Sequence, residues 1–135
     1  MAYLIDSNVI LDIFENDDTW ADWSVETLEK CRQLSVLYIN PIIYSEISIG
    51  FQTIEELEKT ITRIGFKILL LTKESLFLSG KVFFQYKKNK GMKSAILPDF
   101  YIGAHAAVSG LTLVTRDKRH YRTNFPGLKL ITPDY

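Results

Sequence analysis

Four carboxylates interrupt strongly apolar stretches of this chain: Asp6 in "LIDSNVILD", Glu46 in "IIYSEISIG", Asp99 in "ILPDFYIGAHAA" and Asp117 after "LTLVT". An ionised carboxylate is costly to bury without a compensating partner. Were the four to converge, each pair at ~4 Å and an effective dielectric near 20 would repel by roughly 4 kcal/mol, a large share of a domain's stability. A cation would have to neutralise them. Hard divalent ions take oxygen ligands, and no His/Cys set accompanies these acids, so the chemistry points to magnesium or manganese rather than zinc. Carboxylates holding such ions are the arrangement used in phosphodiester hydrolysis, where the ion polarises the phosphate and activates a water. Taken singly, each acid has an ordinary structural use. Asp6 can cap a helix, Glu46 can be a solvated helix position, Asp99 after Pro98 suits a first helical turn, and Asp117 suits a turn. Spacing alone does not bring them together.

The elements that would have to position these acids can be read from periodicity. Residues 2–5 form a short apolar strand, and Ser7 or Asn8 offers an N-cap for a helix to about Phe14. A second helix is expected over 19–34, a strand over 36–39, and a helix opened by Asn40-Pro41 and closed at Gly50. Thr53 with Glu56 resembles a capping box for a helix up to Gly65; "FKILLL" at 66–71 reads as strand, and a long helix runs from Thr72 to about Asn89. After the lysine-rich loop "KKNKGMKSAI" come a buried helix to Gly110, a strand "LTLVT", a loop with a short helix, and a last strand "LKLIT". Strands alternating with helices define an α/β class with a mostly parallel sheet. Asp6 and Asp117 would then stand at carboxyl ends of strands, where open α/β sheets bind ligands.

With 135 residues, 47% of them hydrophobic, the chain suits one domain over 1–135 with its own core. A single cysteine, Cys31, excludes an internal disulfide framework, and neither a signal peptide nor an apolar run of ~18 residues is present. The chain reads as soluble and cytoplasmic. Net charge is zero, yet residues 1–80 hold six basic and thirteen acidic side chains, whereas residues 81–135 hold ten basic and three acidic. Either the fold has a basic face, or these charges intermix as solvated helix faces. Arg116, Lys118, Arg119 and Arg122 surround the fourth acid and, with Lys87, Lys88, Lys90 and Lys93, are the candidates for contact with a nucleic-acid backbone. His120, within the same basic run, is a candidate phosphate contact, while His105 in "IGAHAAV" reads as a packed or hydrogen-bonded helix residue. Both stand outside the catalytic set. Asp12 reads as an exposed helix acid before a supporting one, and Trp20 and Trp23 as core or as a groove for a partner segment.

In order across the chain, "LIDSNVILD", "IYSEISIG", "LPDFYIGAHA" and "LVTRDKRHY" resemble the four acidic motifs of PIN-domain ribonucleases, most of all the toxin half of VapBC-type toxin–antitoxin pairs. The resemblance implies that Asp6, Glu46, Asp99 and Asp117 form the catalytic cluster that binds Mg2+ or Mn2+. Ser7 stands where the family usually has threonine, Asn8 matches the usual asparagine, and Thr115 and Arg116 match the segment leading to the fourth acid. The implied fold is PIN-like, a mostly parallel sheet of about four to five strands flanked by helices. The implied activity is metal-dependent endonucleolysis of single-stranded RNA, often transfer RNA, by in-line attack of an activated water without a covalent enzyme intermediate. The implied partners are a cognate antitoxin and a second copy of the chain, with no membrane. Two other readings are a metal phosphatase or DNA nuclease of related architecture, and a non-catalytic binding module; the presence of all four acids argues against the latter.

Overall fold

The structure, a computed structural model, describes residues 2–133. Its elements run β1 (Tyr3–Ile5), α1 (Ser7–Phe14), α2 (Ala21–Leu34), β2 (Leu37–Ile39), α3 (Pro41–Ile47), a 3-10 turn (Ser48–Gly50), α4 (Ile54–Ile64), β3 (Lys67–Ile68), α5 (Lys73–Lys88), α6 (Pro98–Ser109), β4 (Thr112–Val114), α7 (Lys118–Asn124) and β5 (Leu130–Ile131). The five strands pair in the order β3-β2-β1-β4-β5, and every pairing is parallel. This is the expected α/β class with a helix-flanked parallel sheet.

Burial explains why short strands suffice. Leu4, Ile5, Ile39, Leu113 and Val114 are fully buried, as strands covered on both faces by helices require. From the helices, Ile10, Ile43, Ile47 and Ile102 close over them. The connections then place a crevice. From β1 the chain steps outward through β2 to β3 and returns to β4 on the opposite side of β1, so the order reverses between β1 and β4. In parallel sheets the carboxyl ends at such a reversal leave an opening between diverging loops.

Local chemistry sets the element ends. Asn40 caps α3, its Oδ1 accepting from Ile43 N at 2.8 Å, and Pro41 follows in the first turn. Thr72 and Ser75 cap α5 reciprocally. At the end of α6 the chain adopts φ +66° at Gly110, a left-handed residue that lets it turn directly into β4. The second helix starts two residues later than expected, because Asp17 Oδ1 accepts from both Thr19 N and Trp20 N at 2.9 Å and winds residues 17–20 into a turn. The strand expected over 66–71 is reduced to Lys67–Ile68. Its neighbour β2 ends at Ile39, where Asn40 turns away into α3; Leu69 N still reaches Ile39 O at 2.9 Å, and beyond it the ladder has no partner. No described helix is long and apolar enough to cross a membrane.

Candidate active site

Asp6 follows the last residue of β1 and is the N-cap of α1, held in extended backbone with φ −66° and ψ 149°. Its main-chain N–H donates to Val114 O at 2.9 Å, so the central strand pair delivers the side chain to the carboxyl edge of the sheet. Asp6 Oδ1 accepts from Ser7 N at 2.8 Å, the cap bond itself. Asp6 Oδ2 accepts from Thr115 Oγ1 at 2.7 Å, across the seam between β1 and β4. The Thr115 hydroxyl in turn accepts from Asp117 N at 3.0 Å and from Asn8 Nδ2 at 3.4 Å, which uses its full capacity of one donor and two acceptor sites. Asn8 Oδ1 accepts from Arg116 N at 3.3 Å. The turn after β1 and the turn after β4 are therefore tied together by Thr115 and Asn8.

The other acids reach this seam through hydroxyls. Ser7 Oγ donates to Glu46 Oε1 at 2.7 Å, joining α3 to α1. The Tyr121 hydroxyl lies 3.2 Å from Asp6 Oδ2 and 3.4 Å from Asp99 Oδ1, joining α7 to both β1 and α6. Asp99 occupies the first turn of α6 behind Pro98, and Asp117 caps α7, accepting from His120 N at 3.4 Å. Asp6 is buried, while Glu46, Asp99 and Asp117 are half-buried. All four expected acids thus come together at the carboxyl edge of the sheet, where its order reverses.

The electrostatics show how closely they interact. Burial, opposed by the Thr115 hydrogen bond and reinforced by the charges of Asp99 and Glu46, raises Asp6 from 3.8 to about 7. Asp99 is raised to about 6, by burial first and then by the charges of Asp117 and Glu46. Burial, followed by the charges of Asp6 and Asp99, pushes Tyr121 well above the usual phenol range. The two ion pairs among the described residues, Arg32–Glu29 and Arg116–Asp12, leave these four acids out. The donor set is all carboxylate and hydroxyl oxygen, the chemistry that suits a hard divalent cation. Ser7 and Tyr121 hydroxyls bridge the carboxylates. Among the described residues no three His, Cys, Asp or Glu side chains are already drawn together around a metal position.

Several residues stand differently from their sequence reading. Asp12, expected as an exposed helix acid, is buried and takes a two-bond clamp from Arg116, with Nε to Oδ2 at 2.6 Å and Nη2 to Oδ1 at 3.0 Å. The same guanidinium lies 5.6 Å from the centre of the Trp20 ring. Arg116, a candidate for backbone contact with RNA, is thus engaged inside the protein. Lys118 and Arg119 are exposed beside Asp117, and Lys93 is exposed in the loop before α6. His120, read as a phosphate contact, instead packs edge-on against Phe100 and Tyr121, and burial lowers its pKa. His105 is buried and bonded to Asn40 Nδ2 at 3.0 Å, as a packed helix histidine should be. Trp23 packs against the core. Tyr121 escaped the sequence reading altogether. Its one available signal was chemical: a tyrosine inside a helix bordering the site must find a partner for its hydroxyl if its ring is buried.

A parallel sheet that gathers carboxylates at its point of reversal defines a class of acidic-crevice α/β proteins. The family model for the PIN domain matches residues 3–126, and the chain belongs to that family. PIN domains are typically nucleases that use divalent metal ions. No curated protein sequence matches the chain. Among solved structures, the chain is similar to one from VapBC2 of Rickettsia felis bound to a promoter DNA fragment, with 19% identity, TM-score 0.75, and 99% of this chain and 100% of that chain covered. It is also similar to one from VapBC-1 of nontypeable Haemophilus influenzae (21%, TM-score 0.72, 98% of each chain). A third similar structure is a toxin-antitoxin complex from Klebsiella pneumoniae (24%, TM-score 0.68, 98% of each chain). What these likenesses share with the chain is the fold.

Proposed function

We propose that this chain is a divalent-metal-dependent endoribonuclease, the toxin of a toxin–antitoxin pair, working as a single domain over residues 1–135 in the cytoplasm. The observation that carries the reading is the convergence of Asp6, Glu46, Asp99 and Asp117 on one crevice, linked by Ser7, Thr115 and Tyr121 hydroxyls. Asp6, Glu46, Asp99 and Asp117 would hold Mg2+ or Mn2+. A bound divalent ion supplies the charge that polarises a phosphodiester and makes water acidic enough to attack it. The chain's own part is positional. Ser7 orients Glu46, Thr115 fixes Asp6, Asn8 joins the two turns, and a carboxylate of the same cluster would accept the proton of the attacking water.

Lys118, Arg119 and Lys93, all exposed, would hold RNA phosphates, and Arg116 would support the turn that bears Asp117. Transfer RNA is the substrate class that the family resemblance favours. The structural neighbours come from toxin–antitoxin complexes, which supports a cognate antitoxin as partner, and a homodimer is the assembly we infer.

The test is cleavage of labelled single-stranded RNA, transfer RNA and DNA by purified protein with magnesium, with manganese and with a chelator, alongside Asp6→Asn and Asp99→Asn. Metal-dependent RNA cleavage that both variants lose by at least about 100-fold is expected. Full cleavage by either variant would sink the site. DNA cleavage without RNA cleavage would move the substrate assignment.

A further inference from the structure

We propose that the solvent face of α5 is a binding platform for single-stranded RNA, apart from the acid cluster, on which Phe77 and Phe84 stack bases while Lys81 and Lys88 hold phosphates. The choice of RNA as occupant rests on the reading of the chain as a ribonuclease; the platform itself does not depend on the acids.

Burial divides the helix into two faces. Ser75 and Ser79 are buried, whereas Phe77, Lys81, Phe84 and Lys88 are exposed at the i, i+4, i+7, i+11 spacing of a single face. An exposed ring on its own means little. Here two share one face, Phe77 at 69% and Phe84 at 61% exposure, with Leu76 exposed beside them, and together they form a patch. Each ring has its own ammonium: Lys81 Nζ lies 5.2 Å from the centre of Phe77, and Lys88 Nζ 5.7 Å from that of Phe84. From residue 77 to residue 84 this unit advances roughly 10.5 Å along the axis. Gly80 stands between the rings. A side-chain carbon there would meet nothing within 4 Å, so the interior does not require a glycine that helix propensity disfavours. Its effect is to leave the surface between the rings open to close approach.

Charge selects the occupant. The helix carries Lys73, Lys81, Lys87 and Lys88 against Glu74 alone, and all five are exposed. Two copies of α5 meeting ring to ring in antiparallel fashion would set Lys73 against Lys88, Lys73 against Lys81, or Lys81 against Lys87, according to register. Like charges so juxtaposed work against the contact. A polyanion has the opposite need. Proteins that hold single strands combine a positive track with rings on which bases stack, and an ammonium beside each ring offers one nucleotide both contacts. A duplex, whose bases already stack on one another, has no free base face to present.

The platform is also joined to the acids. On its inner side α5 packs Phe83 and Tyr86 against Phe100, with ring centres 5.6 and 5.3 Å apart, and Phe100 follows Asp99 in the first turn of α6. Beside Lys81 a groove of about 420 Å3, lined by Gln85, Asn89 and Asn124, separates α5 from α7, the helix that Asp117 caps. A strand anchored on α5 is thereby held at a fixed offset from Asp99.

Fluorescence anisotropy of a short labelled oligouridine, in chelator so that no cleavage competes, tests this on the full chain. Phe77→Ala and Phe84→Ala should each weaken binding by about tenfold, within the range of a base–ring stack, and leave the slope of log Kd against log salt unchanged. Lys81→Gln and Lys88→Gln should each lower that slope by about 0.7, the value of one phosphate contact on a single strand. All four variants should keep the wild-type Tm, and the affinity of duplex RNA should not respond to the loss of the rings. Wild-type affinity for oligouridine in the double variant Phe77→Ala/Phe84→Ala overturns the platform, as does an equal loss for duplex RNA. Conversion of a dimer to monomer in that variant by sedimentation, with affinity per chain retained, overturns it in favour of a second copy of the chain. Tighter binding of oligodeoxyuridine than of oligouridine overturns the choice of RNA. Ring-dependent binding by a wild type that never cuts RNA with magnesium or manganese upholds the platform and overturns the ribonuclease reading.

Discussion

Thr115 Oγ1 gives its proton to Asp6 Oδ2 at 2.7 Å, joining residues 109 positions apart across the seam where the sheet order reverses. This is the shortest of the bonds that Asp6 accepts, and it is the main influence holding down a carboxyl group that burial drives upward.

Replacing that threonine by valine keeps its branched shape and removes the donor. A hydrogen bond to a charged group is worth about 1.5–3 kcal/mol, and a stability loss of about 2 kcal/mol at pH 7.5 is expected for Thr115→Val by urea denaturation. Asp6 should titrate higher still, which carbon-13 carboxyl NMR would register. A loss below about 0.5 kcal/mol would show that the seam is held by packing alone.

The raised acids predict an unusual pH dependence. An acid whose folded pKa exceeds its unfolded value binds its proton more tightly in the native state, so the native state loses stability as pH rises between the two values. For Asp6, raised from 3.8 to about 7, the fall runs from about pH 4 to about pH 7 and amounts to roughly 4 kcal/mol. Asp99, raised to about 6, acts in the same direction over a narrower window. Metal-free wild type in chelator should therefore lose Tm between pH 5 and 7.5 more steeply than Asp6→Asn, and magnesium should recover that loss in wild type alone. Parallel Tm profiles for the two proteins would contradict the burial argument.

Arg116 and Asp12 form the third case. The Asp12 side chain is 6% exposed and that of Arg116 33%, which places their ion pair between the exposed and the buried limits. A double-mutant cycle with Asp12→Ala and Arg116→Ala should give a coupling of about 2 kcal/mol. A coupling near zero would mean that the guanidinium is held by Trp20 and by the main-chain link through Asn8.

How far these relationships could be read from the sequence depended on their range. Asp6 with Ser7 and Asn8 announced a strand end and a helix cap, and Asn40-Pro41 announced α3, because caps are local chemistry. The strand over 66–71 was over-read, since its length depends on where β2 ends, and β2 is more than 25 positions earlier. The Arg116–Asp12 pair spans 104 positions, so one partner looked like a solvent-facing helix acid and the other like a cation for RNA. His120 and Tyr121 lie in a basic run in which Lys118, Arg119 and Arg122 are exposed; only the packing of Phe100 and Phe125 turns these two inward. The four acids were legible as interruptions of apolar stretches. The hydroxyls that join them were not, because a hydroxyl's partner is decided in three dimensions.

The tie between Asp6 and Thr115 also has a consequence in time. A ribosome delivers Asp6 109 residues before Thr115, and parallel pairing of β1 with β4 cannot form before β4 has emerged. Until then the early carboxylate has neither the hydroxyl that steadies it nor the fourth acid that completes its surroundings. The cluster of acids is thus completed in one step, when β4 pairs with β1, and a chain cut before β4 would hold Asp6 without its partners.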